Sequence, residues 1–307
     1  MIIDFKAGTR ICQPALLRVL KIGNSSNGGV FARGMLDDNS GHIPFICFEA
    51  ALVDKLRQVE GQAAFMISGN VDISKFQDQG MQVVLQKLDA LLPEDDISSI
   101  VPKGDFNVAE YETKLKNYIR LIHTPGLRIL LENIFSGALY DRFITNPAGM
   151  RLHHAYLGGL LQHSVDVTGL AVAMAEQIDN VDKDLVIAGA LLHDVGKLRE
   201  ISQEVGFPYT NEGRLLGHIS MSAMIVQETA LKLHMPSNVL EKLLHILLSH
   251  HGENEKGSPV ACATKEAFIV HYADEINAIM NQFDSYDGKS NWEYNKMMGR
   301  YLFHNKQ

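Results

Sequence analysis

The first ninety residues alternate short apolar runs with clusters of Gly, Asn, Asp and Ser. Such an alternation is typical of strands joined by tight turns. Residues 49–58 differ, because Leu52, Val53 and Leu56 recur at helical spacing. The pattern therefore predicts three strands, a short helix and two further strands. These elements are expected at residues 15–22, 30–36, 42–48, 49–58, 63–73 and 81–88.

This order of elements is that of an OB-fold, a small Greek-key barrel that often binds single-stranded nucleic acid or oligosaccharide. Beyond residue 105 the apolar spacing becomes helical and stays so. Helices are expected at residues 127–135, 157–177, 183–201, 218–234 and 237–250. We therefore expect an α+β chain of two domains, an OB-fold-like barrel at residues 1–104 and an all-helical domain at residues 105–307.

Composition and charge narrow the classes of function. The net charge of −8 excludes a global positive field, so binding of nucleic acid would have to use a local patch. The three cysteines form no paired motif, which is typical of a reducing, cytoplasmic compartment. No apolar run has the length of a membrane span, and the first residues do not resemble a secretory signal, so no membrane association is expected.

Histidine and aspartate recur through the second region, at His163, His193-Asp194, His218, His250-His251 and Asp274. Imidazole and carboxylate without thiolate suit a hydrolytic site for divalent metals. A single histidine in a helix is more often a core or surface residue. Each of these, however, lies at or near the end of a helical stretch, and helices around one centre can project such ligands inward.

The order H…HD…D with two additional histidines resembles the HD-domain superfamily of metal-dependent phosphohydrolases. The letters HHAYLGGLLQHS at residues 153–164 resemble a segment of the bacterial YhaM-type family. Those proteins are 3′→5′ exoribonucleases that join an N-terminal OB-fold to an HD domain. The β-rich first region and residues 292–303 fit that layout, so the resemblance covers nearly the whole chain.

The resemblance implies one or two divalent metal ions. His163, His193, Asp194 and Asp274 would bind the first, while His218, His250 and His251 would bind the second, with Asp194 bridging. Such ligands accept Mn, Fe, Co, Ni or Zn, and the sequence does not choose among them. Adjacent helical residues point about 100° apart, so His251 can join His250 only if the helix ends there, as Gly252 suggests.

Other candidates have an ordinary structural alternative beside the functional one. Lys197 is expected one helical turn after His193, where it could hold a substrate phosphate or be a solvated lysine. His154 is a candidate catalytic contact or a histidine that caps a helix. In the barrel, Phe31, Arg33 and Phe45 are candidates for nucleic-acid contact, whereas phenylalanines in strands usually belong to a core.

The sequence thus predicts a metal-dependent phosphodiester hydrolase, expected to trim single-stranded RNA or DNA from the 3′ end. One alternative is a phosphohydrolase acting on a small nucleotide or cyclic nucleotide. Another is a nucleic-acid-binding protein with an inactive HD domain, although a decayed site should have lost at least one ligand. The sequence leaves open whether the chain forms a homo-oligomer.

Overall fold

The computed structural model describes residues 1–24, 28–59, 61–74, 80–92, 94–97, 99–101, 104, 106–149, 156–284, 291–295 and 299–304. Contacts divide the chain into two compact units. One comprises Met1–Lys103 with Gln203–Pro208, and the other comprises Gly104–Ser202 with Tyr209–Gln307. Among the described helices, none combines the length and apolarity that a membrane crossing requires.

The first unit is a closed five-stranded barrel. Its strands are β1 (Arg10–Asn24), β2 (Val30–Asp38), β3 (Gly41–Cys47), β4 (Gln62–Ile73) and β5 (Met81–Asp89). They close in the order β1-β2-β3-β5-β4, and the short helix α1 (Ala50–Leu56) lies between β3 and β4 in sequence. The predicted OB-like order is confirmed. Alternate side chains of the strands fill the barrel, because successive residues of a strand point to opposite faces.

The long strand β1 pairs with two neighbouring strands. Residues Arg10–Arg18 pair with β4, while Leu16–Asn24 pair with β2. The register with β2 shifts between Val19 and Lys21, opposite Gly34. A Cβ atom on Gly34 would lie 2.0 Å from the backbone oxygen of Arg18, so only glycine permits this approach. The bulge bends β1, which allows one strand to take part in closing the barrel.

The second unit is built mainly from helices around a core of Leu, Ile, Val and Ala side chains. The helices are α2 (Val108–Leu121), α3 (Pro125–Ile134), α4 (Gly137–Phe143), α5 (Gly159–Glu176), α6 (Lys183–Leu192), α7 (Lys197–Glu200), α8 (Asn211–Lys232), α9 (Ser237–Ser249) and α10 (Lys265–Asp284). Helices α5 and α6 are buried on nearly all sides, which explains their weak apolar periodicity.

Three features of this unit differ from the predicted helical pattern. The helix expected at residues 183–201 is broken by a turn over residues 193–196. Helix α8 begins before His218, with a kink at Gly217 (φ 70°, ψ 153°). A two-stranded hairpin, β6 (Trp292–Asn295) and β7 (Arg300–Phe303), follows α10, so the region is not entirely helical. Its strands have four residues each and no helical period, so they were too short to be predicted from the sequence.

Candidate metal centre

Two buried histidines and an aspartate form a first group of ligand atoms. His163 comes from α5, His193 from the turn after α6, and Asp274 from α10. The Nε2 atoms of the two histidines lie 3.1 Å apart. The Oδ1 atom of Asp274 lies 3.2 Å from Nε2 of His163 and 3.8 Å from Nε2 of His193. The potential ligand atoms of these residues lie within 4.8 Å of one another, close enough to hold one ion.

A second group consists of His218, His250 and His251, whose ligand atoms also lie within 4.8 Å of one another. The kink at Gly217 places His218 at the start of the straight part of α8. Helix α9 ends at Ser249, and Gly252 has a left-handed φ of 89°. The predicted helix end before Gly252 is confirmed, and it allows both adjacent imidazoles to approach His218.

Asp194 lies between the two groups. Its Oδ2 atom is 3.3 Å from Nε2 of both His163 and His193. Its Oδ1 atom is 3.5 Å from Nε2 of His218 and 3.8 Å from Nε2 of His250. Each oxygen of the carboxylate therefore faces one group, which is the arrangement that a bridging ligand needs.

Three atoms at the second group test whether these residues suit a cation. Oδ1 of Asp194, Nε2 of His218 and Nε2 of His250 are buried and have no hydrogen-bond partner. A buried polar atom without a partner costs free energy, and native proteins contain few of them. A divalent cation would satisfy all three atoms together, and imidazole with carboxylate is a donor set that transition metals accept. The residues present therefore fit a metal ion.

Residues 160–279 match the family model described as the HD domain. This part of the chain is an HD domain. The matched range contains every member of both ligand groups, from His163 to Asp274. An HD domain with this set of His and Asp ligands supports a metal-dependent phosphohydrolase.

Two solved structures are similar to parts of this chain. The HD domain of the phosphodiesterase PgpH from L. monocytogenes is 22% identical over 50% of this chain and 77% of that one, with a TM-score of 0.33. The mitochondrial single-stranded DNA-binding protein Rim1 from S. cerevisiae is 10% identical over 27% of this chain and 96% of that one, with a TM-score of 0.24. Both TM-scores are below 0.5, so neither likeness bears on function.

All five candidate ligand histidines have a hydrogen bond at Nδ1, which for His251 joins the backbone oxygen of Lys256 (3.2 Å). The other four bonds are similar and join Nδ1 of His163 to Oδ1 of Asn277 (2.9 Å), Nδ1 of His193 to the oxygen of Ala190 (2.8 Å), Nδ1 of His218 to Oε1 of Glu200 (3.0 Å), and Nδ1 of His250 to the oxygen of Leu247 (2.7 Å). An imidazole that donates from Nδ1 leaves the lone pair of Nε2 for a metal, so these partners set the tautomer.

Glu200 and Asn277 were not found by reasoning from the sequence. Glu200 is 6% exposed and accepts from both the backbone N–H and the Nδ1 of His218. Nothing in its local spacing distinguishes it from other acidic residues. Asn277 had a usable signal, since it lies three residues after Asp274 and therefore on the same helical face.

The pKa values reflect the concentration of charge in the site. Burial alone would lower the pKa of His163, but hydrogen bonds with Asp194 and Asp274 raise it to about 9. Burial would raise the pKa of Asp194, but the charges of Lys197 and His193 hold it well below its usual value. The carboxylates are therefore ionised, and a metal ion bound by His163 would displace its proton.

Lys197 lies beside the bridging carboxylate, with Nζ 2.6 Å from Oδ2 of Asp194. We expected it one turn after His193 on a continuous helix, but that expectation was wrong. The chain turns between the two residues, and α7 begins at Lys197. The side chain is 18% exposed, so the ammonium group is neither an ordinary solvated lysine nor fully enclosed.

Two further histidines differ in what the structure describes. His154 lies outside the described residues. His271 lies three residues before Asp274, and its Nδ1 lies 2.8 Å from the backbone oxygen of His250. It therefore stabilises the end of α9, and so the position of the second ligand group, rather than the carboxylate on its own helix.

The candidate contacts in the barrel separate into two classes. Arg33 is exposed and, with Lys21 and Gln82, lines a surface hollow of about 320 Å³, while Phe31 is half-buried. Phe45 is only 1% exposed and belongs to the barrel core, so the prediction that it stacks on bases is wrong. An inward-facing ring of a strand has no open face to offer, and the core alternative applies to this residue.

Proposed function

We propose that the chain is a divalent-metal-dependent phosphodiester hydrolase that shortens single-stranded RNA or DNA from the 3′ end. The observation that carries the proposal is the carboxylate of Asp194 between two groups of inward-facing imidazoles. Its Oδ1 atom and the Nε2 atoms of His218 and His250 are buried without a hydrogen-bond partner, which is the arrangement that a cation requires.

In this proposal His163, His193 and Asp274 would hold one ion, and His218, His250 and His251 would hold a second. Asp194, which lies between the two groups, would serve both. A pair of divalent ions supplies Lewis acidity toward a phosphoryl oxygen and lowers the pKa of water to near neutrality. The identity of the metal among Mn, Fe, Co, Ni and Zn follows from availability as much as from the ligands.

The remaining work is done by the protein's own groups. Glu200, Asn277 and the backbone oxygens hold the imidazoles in their metal-binding tautomers. Lys197 contributes a positive charge beside Asp194, where it would bind a non-bridging oxygen of the scissile phosphate. Its partner in the structure, Asp194, keeps that ammonium group within reach of the centre.

The choice of a polymer as substrate draws its support from the barrel. An OB-like barrel joined to an HD domain suggests a chain that must be held while its end is cut. Arg33 and Lys21 beside a surface hollow provide local cations in an otherwise acidic protein. The competing hypothesis is a small nucleotide as substrate, for which the barrel would have another use.

The test is a comparison of the parent protein with Asp194→Asn. The parent should contain a transition metal by mass spectrometry and should release a 3′-terminal label from RNA at once, while a 5′-label should appear on progressively shorter products. Asp194→Asn should lose metal and turnover because an amide oxygen is uncharged and cannot bridge two cations.

A suitable control is Asp184→Asn. Asp184 is also a shielded aspartate, but it accepts from the backbone N–H groups of His123 and Thr124 outside the metal centre. That variant should be less stable yet retain its metal. If Asp194→Asn keeps metal and activity, the proposal is wrong. If the parent cleaves nucleotides but never RNA or DNA strands, the small-substrate hypothesis replaces it.

A further inference from the structure

The hairpin after α10 presents four aromatic side chains on one face. Strands β6 and β7 pair Trp292 with Phe303 and Tyr294 with Tyr301. Alternate residues of a strand share a face, so all four rings lie on the same side of the hairpin. They are exposed by 59%, 48%, 51% and 66%, respectively. The ring centroids lie 5.0 Å apart within each pair. We call this surface the aromatic face.

The aromatic face is not the side that attaches the hairpin. Leu302 and His304 are 6% and 7% exposed, and the ring of His304 lies 5.3 Å from that of Phe283 near the end of α10. An isolated two-stranded hairpin is marginally stable in water, so these contacts anchor it. The four rings on the other side are each about half exposed or more, and exposed apolar patches of this kind mark interaction sites.

We propose that the aromatic face binds single-stranded nucleic acid by stacking bases on its two ring pairs. Residues two apart on a strand are separated by about 6.6 Å, roughly twice the 3.4 Å rise per base of a duplex strand. The two rings of each pair are inclined to each other by 56° and 65°, so each pair offers one ring face to one base. Stacking on aromatic rings is the usual sequence-tolerant way to hold single strands.

The local charge favours single-stranded nucleic acid as the ligand over a second copy of this acidic chain. Residues 291–307 contain three lysine or arginine residues and one glutamate, a net charge of +2 in a chain whose total is −8. The sequence of this segment is therefore locally positive, which favours a ligand with a phosphate backbone.

The hairpin follows the helix that carries Asp274, so a nucleic-acid strand bound there could extend to the metal centre. Asp274, a member of the first ligand group, and Phe283, which contacts the hairpin, lie nine residues apart on α10, about 14 Å along the helix axis. A pocket of about 440 Å³ is lined from the same helix by Ile276, Asn277 and Met280. These residues lie between the two points in sequence, and Lys114 and Asp166 also line the pocket.

The inference rests on the proposed function only where it concerns cleavage of the bound nucleic acid. Binding by the aromatic face does not depend on that function. It is tested by fluorescence anisotropy of the full chain with labelled single-stranded RNA in EDTA, which prevents cleavage. Tyr294→Leu with Tyr301→Leu keeps the apolar character but removes the aromatic rings, so affinity should fall by about tenfold or more. Tyr294→Phe with Tyr301→Phe keeps the rings and should bind like the parent.

A matched control is available on α10. Phe268 and Tyr272 form an exposed stacked pair, 46% and 47% exposed, with centroids 6.4 Å apart. Phe268→Leu with Tyr272→Leu should leave RNA affinity unchanged. All variants should turn over a small chromogenic phosphodiester as the parent does, which confirms an intact centre. Loss of that turnover in every protein, the parent included, would count against the proposed function and not against binding by the hairpin.

Two results would overturn the inference. One is unchanged RNA affinity in the paired leucine variant. The other is an equal loss of affinity in the control variant, which would make the effect non-local. A paired alanine variant that binds RNA normally, but changes molar mass in light scattering, would show that the face joins copies of the chain instead.

Discussion

At the scale of single residues, the surroundings of Lys197 decide between a phosphate contact and an ordinary solvated lysine. Its ammonium group lies against Asp194, the carboxylate that both ligand groups share. Asp194 raises the pKa of Lys197 against the effect of burial, so the lysine carries its charge in the working pH range. A fixed charge beside a metal centre acts on substrate oxygens, not on cations.

We therefore expect Lys197→Ala to slow phosphodiester cleavage by about 10–10³-fold, the range for loss of one charge that stabilises a transition state. Metal content should not fall, because no imidazole or carboxylate is removed. Steady-state kinetics together with metal analysis measures both effects. Activity close to that of the parent would show that the lysine serves only to neutralise Asp194.

Glu200 allows the ligand groups to be tested separately. It holds His218, a member of the second group, through two hydrogen bonds. Glu200→Gln should weaken one of two metal-binding events by about 10–100-fold, as loss of an orienting partner does. Calorimetric titration of the metal-free protein measures both events. Glu212→Gln, which alters an ion pair with Arg199, is the control and should change neither affinity. Equal weakening of both metal-binding events would contradict the prediction that Glu200 supports only the second ligand group.

The two ligand groups consist of residues that the sequence already pointed to, because His and Asp recurring in this order through one helical region are uncommon. Their expected position at helix ends is wrong for Asp274, which lies in the middle of α10. Their supporting residues could not be predicted as well. Glu200 is one of 36 acidic residues, and its role depends on the kink at Gly217 that exposes the backbone N–H of His218. That kink is a tertiary feature. The sequence shows the glycine but not the direction in which the chain turns.

At the scale of elements, the turn between α6 and α7 determines the geometry of the centre. The periodicity predicted one helix through this region, since no proline interrupts it. The structure breaks it because Gly196 donates its N–H to Ser222, whose hydroxyl donates to the backbone oxygen of His193. A serine on α8 thus takes over hydrogen bonds that a continuous helix would have made internally.

Gly196 is required for this contact. A Cβ atom there would lie 2.1 Å from the backbone oxygen of His218 and 2.6 Å from the backbone nitrogen of Ser222. Gly196→Ala should destabilise the protein by about 1–3 kcal/mol, as overpacking does, and should weaken metal binding by displacing His218. Thermal unfolding with and without metal measures both effects.

Gly126→Ala provides the matched comparison. Gly126 lies in α3, and its nearest neighbour would be the Cγ atom of Met235 at 3.8 Å, an ordinary contact distance. Alanine is favoured over glycine within a helix by about 1 kcal/mol, so this variant should be as stable as the parent or more so. Equal stability of the two alanine variants would show that α7 and α8 adjust to each other without cost.

At the scale of the whole molecule, the barrel was the easier unit to predict and the harder one to interpret. Turn clusters separate its strands clearly, so the strand order could be derived from the sequence. Which face of each strand points inward depends on register, and a shift of one residue reverses it. The core position of Phe45 and the exposed position of Arg33 were therefore outcomes of pairing that the strand pattern alone did not determine.

The contribution of the barrel to a polymeric substrate is best tested by a surface substitution. Gln203–Pro208 clusters with the barrel residues and includes the buried Phe207, so a truncation would disturb more than one surface. Arg33→Ala should weaken binding of single-stranded RNA and lower the slope of log affinity against log salt by about 0.7 for each phosphate that the variant no longer binds. Turnover of a small chromogenic phosphodiester should not change, because every residue of the metal centre lies in the other unit.

Arg57→Ala is the control for charge. Arg57 follows α1 and is also an exposed arginine of the barrel unit, with 54% of its side chain exposed and an ion pair to Asp54 in α1. Both variants remove one positive charge from the same unit, so a general electrostatic effect would appear in both. A loss of affinity confined to Arg33→Ala would show that single-stranded RNA binds at the hollow beside β2. Identical salt slopes for the two variants and the parent would show that the barrel does not contact the phosphate backbone there, and the case for a polymeric substrate would then depend on the C-terminal hairpin alone.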